Sequence, residues 1–374
     1  MSSQPVHYHE SGFPPQKIDW ERLIPLIGPA SAALARFDGI LGALPNAAVL
    51  LSPLMTQEAV LSSRIEGTQA TMGEVLEYEA RAAPKDADPR QTADIQEVLN
   101  YRKAMGRAVK LLNDLPLCQR VLKEAHQVLL EGVRGKGKAP GEYRRIPNWI
   151  GPAGCTIEQA KYVPVSSERL PAAMDRWERY IHSEAPDRLV QLSVLHAEFE
   201  ALHPFLDGNG RLGRMFVPLF LFSIKALRSP MFYISAYLEA RRDEYYERLL
   251  AVSRDGDWTG WCVFFLAALT EQAMENHGKA AAVLGLYEKE KARIMDLTRS
   301  QYAIRALDFL FNRPIFAAST FAAETGIPGT TAKRMLRALY DDGLLKELRP
   351  AEGRKPAVMA FGALLNIAEG AKIF

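Results

Sequence analysis

The stretch HPFLDGNGRLGR, residues 203–214, combines one histidine, one acid, three glycines, one asparagine and two arginines. Apolar residues recur every three or four positions before it, at Leu189, Leu192, Leu195, Phe199 and Leu202. This period predicts a helix that leads into the stretch. Pro204 disfavours helical backbone at the residue before it, and the glycines favour a loop. We therefore expect a helix, a short loop and a second helix that begins near Arg211.

The expected loop has the properties of an anion-binding site. Gly208 and Gly210 permit unusual backbone angles and a close approach of the main chain to a ligand. At the start of the second helix, free N–H groups and the positive dipole end favour negative charge. Arg211 and Arg214 lie three positions apart, on one helix face, and guanidinium groups suit phosphate. The stretch therefore predicts a phosphate site.

Two further side chains suit phosphate chemistry. Asp207 offers a hard oxygen ligand of the kind that Mg²⁺ uses beside phosphates. His203 lies at the edge of the expected loop, where an imidazole can accept a proton. A lone histidine is more often structural, and GNG is often only a turn. The convergence of all these groups on one loop favours the functional interpretation.

Two other nucleotide-binding motifs are matched only formally. GNGRLG, residues 208–213, fits the dinucleotide pattern G-x-G-x-x-G, but that motif requires a preceding buried strand and a helix is expected here. GVRGKGKA, residues 132–139, approaches a P-loop. Ala139 replaces the hydroxyl residue that would hold magnesium, and Pro140 follows. Neither a Rossmann fold nor a P-loop fold is expected.

The composition is that of an ordinary globular protein. The 374 residues are 48% hydrophobic and 24% charged, and the formal net charge of +2 is too small to imply a nucleic-acid or membrane partner. Cys118, Cys155 and Cys262 have no zinc spacing, which favours a reducing, cytoplasmic location. No signal peptide is expected at the start. The apolar run MFVPLFLFSI, residues 215–224, is too short to span a bilayer, so we expect a buried core helix and no membrane partner.

We expect a mainly helical chain. Residues 1–20 are expected to form an extended arm, and RAAPKDADPRQ, residues 81–91, a linker or exposed loop. NWIG and YVPV, within residues 148–165, are expected to form a small hairpin.

The chain changes character near residue 300. Three short helical segments, the turn GIPG and the segments LLKEL and VMAF predict a helix, a helix-turn-helix and a small hairpin, the order of a winged helix. We expect three consecutive domains: 1–90, 91–290 and 291–374.

HPFLDGNGRLGR resembles the Fic family signature, histidine–x–phenylalanine–x–acid–GNGR–x–x–R, at every defined position. LHAEFEALHPF upstream and YISAYLEARRDEYYERL and DGDWTGWCVFFL downstream are similar to the same family. GEYRRIPNWIG followed by YVPV resembles its flap, which holds a target segment. The resemblance covers residues 8–290 and implies a Fic-type helical bundle with a β-hairpin flap. The tail resembles the winged helix-turn-helix domain of many such proteins.

Most Fic proteins transfer AMP from ATP to a hydroxyl of a target protein, with Mg²⁺, and the resemblance carries residue roles with it. His203 is implied as general base, Asp207 as magnesium ligand and Phe205 as the core anchor of the loop. The implied nucleotide-binding residues are Gly208, Asn209, Gly210, Arg211 and Arg214, with Tyr246 in an adenine pocket. A family branch that transfers phosphate departs from the full GNGR–x–x–R pattern, so the transfer of AMP is expected.

LSSRIEGTQAT, residues 61–71, contains Ser62–x–x–x–Glu66–Gly67, which resembles the inhibitory motif of the family. There the glutamate enters the nucleotide site and pairs with the second arginine, here Arg214, in place of the γ-phosphate. By pattern alone, Glu66 could equally be a solvated helix residue with Gly67 as C-cap. In some relatives the same glutamate supports hydrolytic removal of AMP. The sequence does not decide between inhibition and that hydrolysis.

Several other residues have two readings. His196, two helical turns before His203, is expected to be a hydrogen-bonded core residue. Asn148 and Ile150 would face a target backbone if the hairpin forms. Tyr143, Arg144 and Trp149 would shape the target groove or simply pack. Five other histidines suggest no function: His7, His9, His126, His182 and His277.

The tail leaves a second functional class open. Cations on the expected recognition helix and wing could contact DNA phosphates: Lys333, Arg334, Arg337, Arg354 and Lys355. Four acids dilute this charge: Asp341, Asp342, Glu347 and Glu352. The alternative for the tail is a docking or dimerisation module. For the whole chain, the alternative to an enzyme is a DNA-binding regulator whose Fic core only senses nucleotide. The target protein, the acceptor (Ser, Thr or Tyr) and the formation of a homodimer stay open.

Overall fold

A computed structural model describes residues 4–81, 88–132, 137–152, 154–353 and 355–374. Most of the linker expected at 81–91, the centre of the P-loop-like segment 132–139 and the wing residue Arg354 lie outside the described residues.

The described chain is mainly helical, as the sequence predicts. The helices are α1 (Trp20–Ala43), α2 (Ala47–Leu50), α3 (Ser52–Ile65), α4 (Met72–Arg81), α5 (Pro89–Leu111), α6 (Gln119–Leu129), α7 (Leu170–Ile181), α8 (Arg188–Leu202), α9 (Asn209–Ser223), α10 (Ser235–Ala240), α11 (Arg242–Asp255), α12 (Trp258–Thr298), α13 (Ala303–Asn312), α14 (Ala318–Thr325), α15 (Gly329–Asp341) and α16 (Gly362–Glu369). The strands are β1 (Val6–His7), β2 (Tyr162–Val163), β3 (Ile315–Ala317), β4 (Lys346–Arg349) and β5 (Val358–Ala360).

The chain divides into two compact units. Unit 1 comprises Met1–Asp38, Leu61–Gly67 and Asn100–Met274. Unit 2 comprises Gly39–Val60, Thr68–Leu99 and Glu275–Phe374. Each unit combines segments that are distant along the chain, and the three consecutive domains expected from the sequence stay a prediction.

Helices α8 and α9 form the centre of unit 1. The Asp187 carboxylate caps α8 by accepting hydrogen bonds from the N–H groups of Leu189 and Val190, both at 2.9 Å. Nearly every residue of α8 is buried, and α9 is buried from Asn209 to Leu221. The run MFVPLFLFSI is therefore largely a buried core helix, as expected, since α9 contains most of it.

Helix α1 is, within the described ranges, the one helix that is long and apolar enough to cross a membrane by length and composition. In unit 1, its buried residues follow one face, at Leu23, Ala30, Leu34 and Phe37. The Asp38 carboxylate accepts a hydrogen bond from Nη2 of Arg228 at 2.9 Å. A helix that packs on a protein core has one buried face, and α1 shows this pattern.

The N-terminal arm is part of the core of unit 1. Strand β1 pairs in parallel with β2, and Tyr8 and Phe13 are buried. The hairpin expected within residues 148–165 is not formed as two strands: Ile150 and Tyr162 share a single antiparallel bridge. The residues between them include a 3₁₀ turn, Ile157–Gln159, instead of a tight hairpin turn, and β1 pairs with β2 in the hairpin's place.

The C-terminal part of unit 2 has the order α13, β3, α14, α15, β4, β5 and α16. The three strands form an antiparallel sheet in the order β3-β5-β4, with Ile315 and Lys346 both opposite Ala360. Helices α13, α14 and α15 and the β4–β5 pair match the predicted segments. Strand β3 was not predicted, because three apolar residues between two helices carry no alternation.

Candidate functional site

The stretch 203–214 forms the connection between α8 and α9. His203 follows α8 with left-handed backbone angles, φ 45° and ψ 61°, and its N–H donates to the carbonyl of Phe199 at 3.1 Å. A side chain at positive φ is costly unless its surroundings hold it there. The second helix starts at Asn209, two residues before the expected position.

Arg144 holds the end of α8 in place. It is buried, and its Nε donates to the carbonyl of His203 at 3.0 Å. Its Nη2 donates to the carbonyls of Leu202, at 3.2 Å, and Val165. Burial lowers the pKa of Arg144 to about 10, so the guanidinium stays charged at neutral pH and complements the negative end of the α8 dipole. The sequence left open whether Arg144 shapes a target groove or simply packs, and this capping contact favours packing.

Phe205 and Asn209 close the loop on itself. The N–H of Phe205 donates to Oδ1 of Asn209, and Nδ2 of Asn209 donates to the carbonyl of Phe205, both at 2.8 Å. Nδ2 of Asn148 donates to the same carbonyl at 3.2 Å. Phe205 is fully buried. The side chain of Asn209 thus shapes the loop. Its main-chain N–H is the group that it can offer to an anion.

His126 on α6 is a loop contact that sequence reasoning missed. Its ring stacks on Phe205 with centroids 3.8 Å apart. The N–H of Gly141 donates to Nδ1 at 2.8 Å, so Nε2 carries the proton and donates to the carbonyl of Asp207 at 2.9 Å. Burial lowers the pKa of His126 to about 4, which keeps the ring neutral. The signal was its position on the buried face of α6, in line with Leu122.

The start of α9 has the form of the expected anion site. Gly208 has φ 76°, and the first helical hydrogen bond runs from the N–H of Leu212 to the carbonyl of Gly208 at 3.0 Å. The N–H groups of Asn209, Gly210 and Arg211 therefore lie in the helix's first turn, where an α-helix supplies no acceptor.

Asp207 lies beside this turn. Its Oδ1 accepts hydrogen bonds from the N–H of Gly208 at 2.6 Å and from Nη2 of Arg211 at 3.3 Å. Its side chain is 38% exposed, whereas that of Arg211 is 4% exposed. Across the described residues there is no group of three or more His, Cys, Asp or Glu side chains that could hold a metal. A single accessible carboxylate fits Mg²⁺, which takes its remaining ligands from water and substrate phosphates.

Ser62 and Glu66 both bind Arg214, whose side chain is 1% exposed. Its Nε donates to Oγ of Ser62 at 2.9 Å, and its Nη2 donates to the carbonyl of Ser62 at 2.8 Å and to Oε1 of Glu66 at 2.7 Å. Gly67, just beyond α3, has φ 103°. Gly67 thus turns the chain as a C-terminal glycine does, and Glu66, with a side chain that is 36% exposed, pairs with Arg214.

The charges of this pair are mutually stabilised. Burial raises the pKa of Glu66, but the charge and hydrogen bond of Arg214 outweigh it, with smaller contributions from Arg211 and His203, and the net pKa is lowered. Burial lowers the pKa of Arg214, and the charge of Glu66 reverses this to a net rise. Both groups are therefore ionised at neutral pH.

A cavity of about 570 Å³ connects these groups. His203, Gly210, Arg214 and Glu66 line it, together with Tyr246 of α11. Tyr246 is 42% exposed, and its hydroxyl donates to the carbonyl of Ile65 at 3.4 Å. The structure therefore brings five of the predicted site residues to one cavity. The other seven predicted site residues are not among its lining residues: Ser62, Gly67, Phe205, Asp207, Gly208, Asn209 and Arg211.

His203 is neutral in this environment. Burial lowers its pKa to about 4, the charge of Glu66 raises it, and that of Arg144 lowers it further. A neutral imidazole that faces a cavity can accept a proton from a bound hydroxyl.

His196 is a hydrogen-bonded core residue, as expected. It is fully buried, its Nδ1 donates to the carbonyl of Gly213 at 3.1 Å, and its Nε2 accepts from the hydroxyl of Tyr245 at 3.0 Å. Burial lowers the pKa of His196 to about 3. The ring fixes the spacing of α8, α9 and α11 and takes no part in the cavity.

The fold is that of a helical protein in which the predicted anion-binding loop lies at the start of a helix, and sequence comparison identifies its family. Profiles described as Fic/DOC family N-terminal and Fic/DOC family match residues 24–110 and 116–221. The protein adenylyltransferase Fic of Drosophila grimshawi is 26% identical over 219 residues, 56% of this chain and 40% of that protein. That of Drosophila melanogaster is 25% identical over 219 residues, 56% of this chain and 39% of that protein. The chain thus matches less than half the length of these curated relatives.

Solved structures share the fold. A Fic family protein from Desulfovibrio desulfuricans matches with a TM-score of 0.52 and 20% identity, over 89% of this chain and 95% of that one. A Fic domain containing signaling protein from Bacteroides thetaiotaomicron matches with a TM-score of 0.53 and 17% identity, over 68% and 96%. These likenesses show the fold, and the two profile matches show that the chain belongs to the Fic/DOC family.

Proposed function

We propose that this protein is a protein adenylyltransferase, which transfers AMP from ATP to a Ser, Thr or Tyr hydroxyl of a target protein. The observation that carries the proposal is the single cavity lined by His203, Gly210 and Arg214 at the start of α9. The adenylyltransferase names of the Drosophila relatives support the same reaction. The three unpaired cysteines support a cytoplasmic location.

In the proposed reaction, the imidazole of His203 accepts the proton of the target hydroxyl. The hydroxyl oxygen bonds to the α-phosphorus of ATP, and the bond from that phosphorus to the bridging oxygen breaks to release pyrophosphate. The first-turn N–H groups of Asn209 and Gly210, with the arginines, stabilise the charge on the phosphates. Asp207 would hold Mg²⁺, which neutralises part of that charge when bound.

The same proposal includes autoinhibition by Glu66. Its carboxylate bonds to Nη2 of Arg214 at 2.7 Å, and that arginine is the proposed partner of the γ-phosphate. While this ion pair persists, ATP can bind only with its phosphates displaced from the position for attack. Tyr246, beside the ion pair, is the proposed adenine contact.

Hydrolytic removal of AMP from a modified target is a second candidate for the same cavity. The observation that favours it is the ionised carboxylate of Glu66, whose charge raises the pKa of His203. Such a carboxylate can orient a water molecule toward phosphorus.

DNA binding is a second candidate for the C-terminal part of unit 2, which we propose is a winged helix. Lys333, Arg334 and Arg337 on α15 are all exposed, and an exposed basic helix is the usual contact of such domains with DNA phosphates. In this reading the Fic core senses nucleotide and regulates that contact. The alternative for the same surface is docking or homodimerisation.

ATP labelled on the α-phosphate, with Mg²⁺, tests the transferase proposal. Wild type, Glu66→Gly and His203→Ala are incubated alone and with lysate of the source cells. We expect label on protein with Glu66→Gly, little with wild type and none with His203→Ala. No label with Glu66→Gly, despite normal ATP binding, would refute the transferase. Release of AMP from a pre-modified protein by wild type, lost in Glu66→Gly, would assign the hydrolase.

A further inference from the structure

Glu200 is a second carboxyl group in the same cavity. It lies on α8, one turn before His203, and its carboxyl group packs against the backbone of α9 at Gly213. A Cβ at Gly213 would overlap Oε1 of Glu200 and lie 3.1 Å from its Cδ. Oε1 is buried and accepts no hydrogen bond from any described residue. Neither residue belongs to the defined positions of the loop signature.

Glu66 and Glu200 occupy equivalent places on α9. A Cβ at Gly210 would overlap Oε1 of Glu66 and lie 3.2 Å from its Cδ, just as a Cβ at Gly213 would overlap Glu200. Residues three apart on a helix share a face, with Cβ positions about 5–6 Å apart. Two carboxyl groups thus lie one turn apart along the glycine face of α9. The guanidinium of Arg214 lies beside the Glu66 carboxylate, with Nη1 2.9 Å from the Cβ position at Gly210.

One guanidinium cannot compensate two neighbouring carboxylates equally. Glu66 makes the hydrogen bond to Arg214 and is ionised. Burial raises the pKa of Glu200 to about 7, the charge of Arg214 lowers it, and that of Glu66 raises it. Interaction between two titrating groups is mutual. A charge on Glu200 therefore disfavours the docked position of Glu66 to the same extent that docked Glu66 disfavours that charge.

The other groups around Glu200 do not substitute for this interaction. The hydroxyl of Tyr245, on α11, donates to His196, and His203, at the end of the same helix as Glu200, is neutral. The remaining charged residues that line the cavity are exposed: Lys161, Asp243 and Glu247. The charges that shift the pKa of Glu200 are those of Arg214 and Glu66.

We propose that Glu200 is a positioning residue that sets how firmly Glu66 holds Arg214. As a neutral acid, Glu200 leaves the Glu66–Arg214 ion pair undisturbed; as a carboxylate, it repels Glu66 and weakens the pair. The proton passes between Glu200 and solvent, and no covalent step is involved. The proposal deepens the regulation of the proposed transferase and rests on that function for its consequence: inhibition is firmest below neutral pH and is relieved above it.

NMR titration of the protein labelled with ¹³C at the glutamate carboxyl carbon tests the coupling without any activity. Glu200→Gln assigns the Glu200 signal. We expect Glu66→Gly to lower the titration midpoint of Glu200 by on the order of one pH unit. Glu66→Gln, which keeps the side-chain length, should lower it similarly. Glu247→Gln removes an exposed carboxylate from the same cavity and should change the midpoint far less. An unchanged midpoint in both Glu66 variants would overturn the proposal.

Transfer of labelled AMP supplies the second measurement. The ratio of transfer by wild type to transfer by Glu66→Gly should rise on the order of tenfold between pH 6 and 8, the effect of one pH unit of coupling. The ratio of transfer by Glu200→Gln to transfer by the double variant Glu66→Gly/Glu200→Gln should not change with pH. A rise in both ratios would overturn the regulatory role of Glu200. If no variant transfers AMP while the NMR midpoint shifts, the coupling stands and the proposed transferase fails.

Discussion

The carboxylate of Glu66 lies directly against the backbone of Gly210, where a Cβ would overlap Oε1 and lie 3.2 Å from Cδ. The glycine at this position therefore makes room for the ion pair with Arg214. A side chain at position 210 and a carboxylate at position 66 exclude each other.

Gly210→Ala should consequently destabilise wild type by about 1–3 kcal/mol, the usual cost of overpacking. In the Glu66→Gly background the cost should be smaller or reversed, since alanine is about 1 kcal/mol better than glycine in a helix. Chemical denaturation of wild type, the two single variants and the double variant measures this coupling. Equal costs in both backgrounds would show that Glu66 does not lie over Gly210.

His126→Phe tests how the loop is positioned. Phenylalanine keeps a ring against Phe205 but removes the donor to the carbonyl of Asp207 and the acceptor for the N–H of Gly141. Each unsatisfied group costs about 1–3 kcal/mol. We expect lower thermal stability and at least tenfold slower transfer of AMP in the Glu66→Gly background, because the Asp207 backbone is no longer fixed.

The exposed His182, just after α7, provides the matched control. His182→Phe should change neither the melting temperature nor the transfer rate appreciably. Full activity and stability of His126→Phe would mean that the stack alone positions the loop.

Glu200→Gln should change how stability depends on pH. Burial raises the pKa of Glu200 to about 7, so the folded state binds its proton more tightly than the unfolded state does. Wild type therefore loses stability as the pH rises from about 4.5 to about 7. The advantage of Glu200→Gln over wild type should be small at pH 4.5 and approach roughly 3 kcal/mol above pH 7. Urea denaturation at both pH values measures it, and a pH-independent difference would contradict the buried, titrating carboxyl.

The triple substitution Lys333→Ser/Arg334→Ser/Arg337→Ser tests the DNA candidate. If α15 binds duplex phosphates, the triple variant should bind more weakly, and its salt slope should fall by about 0.9 for each phosphate that is no longer neutralised. Fluorescence anisotropy at several salt concentrations gives both quantities. Lys103→Ser, on α5, serves as the control for removal of positive charge elsewhere. If the wild type does not bind duplex DNA, or binds it without any dependence on salt, docking or dimerisation remains as the role of this part of unit 2.

The local form of the site follows from the amino-acid sequence. The apolar period up to Leu202, the proline at 204 and the glycines at 208 and 210 set a helix, a loop and a helix, and the structure differs only by two residues at the start of α9. The same local reasoning located α13, α14, α15 and the β4–β5 pair. These features depend on interactions between near neighbours along the chain, which periodicity and turn residues report.

The distant groups that meet this loop are brought there by the packing of the helices. Arg144 caps α8 from 58 residues away, and His126 reaches the carbonyl of Asp207 from 81 residues away. In place of the expected hairpin, β2 pairs with the N-terminal strand β1. Glu200 and Gly213 drew no attention in the sequence, because an acid on a helix is usually solvated. Whether a buried polar group is paired depends on helix packing, and no local pattern records it.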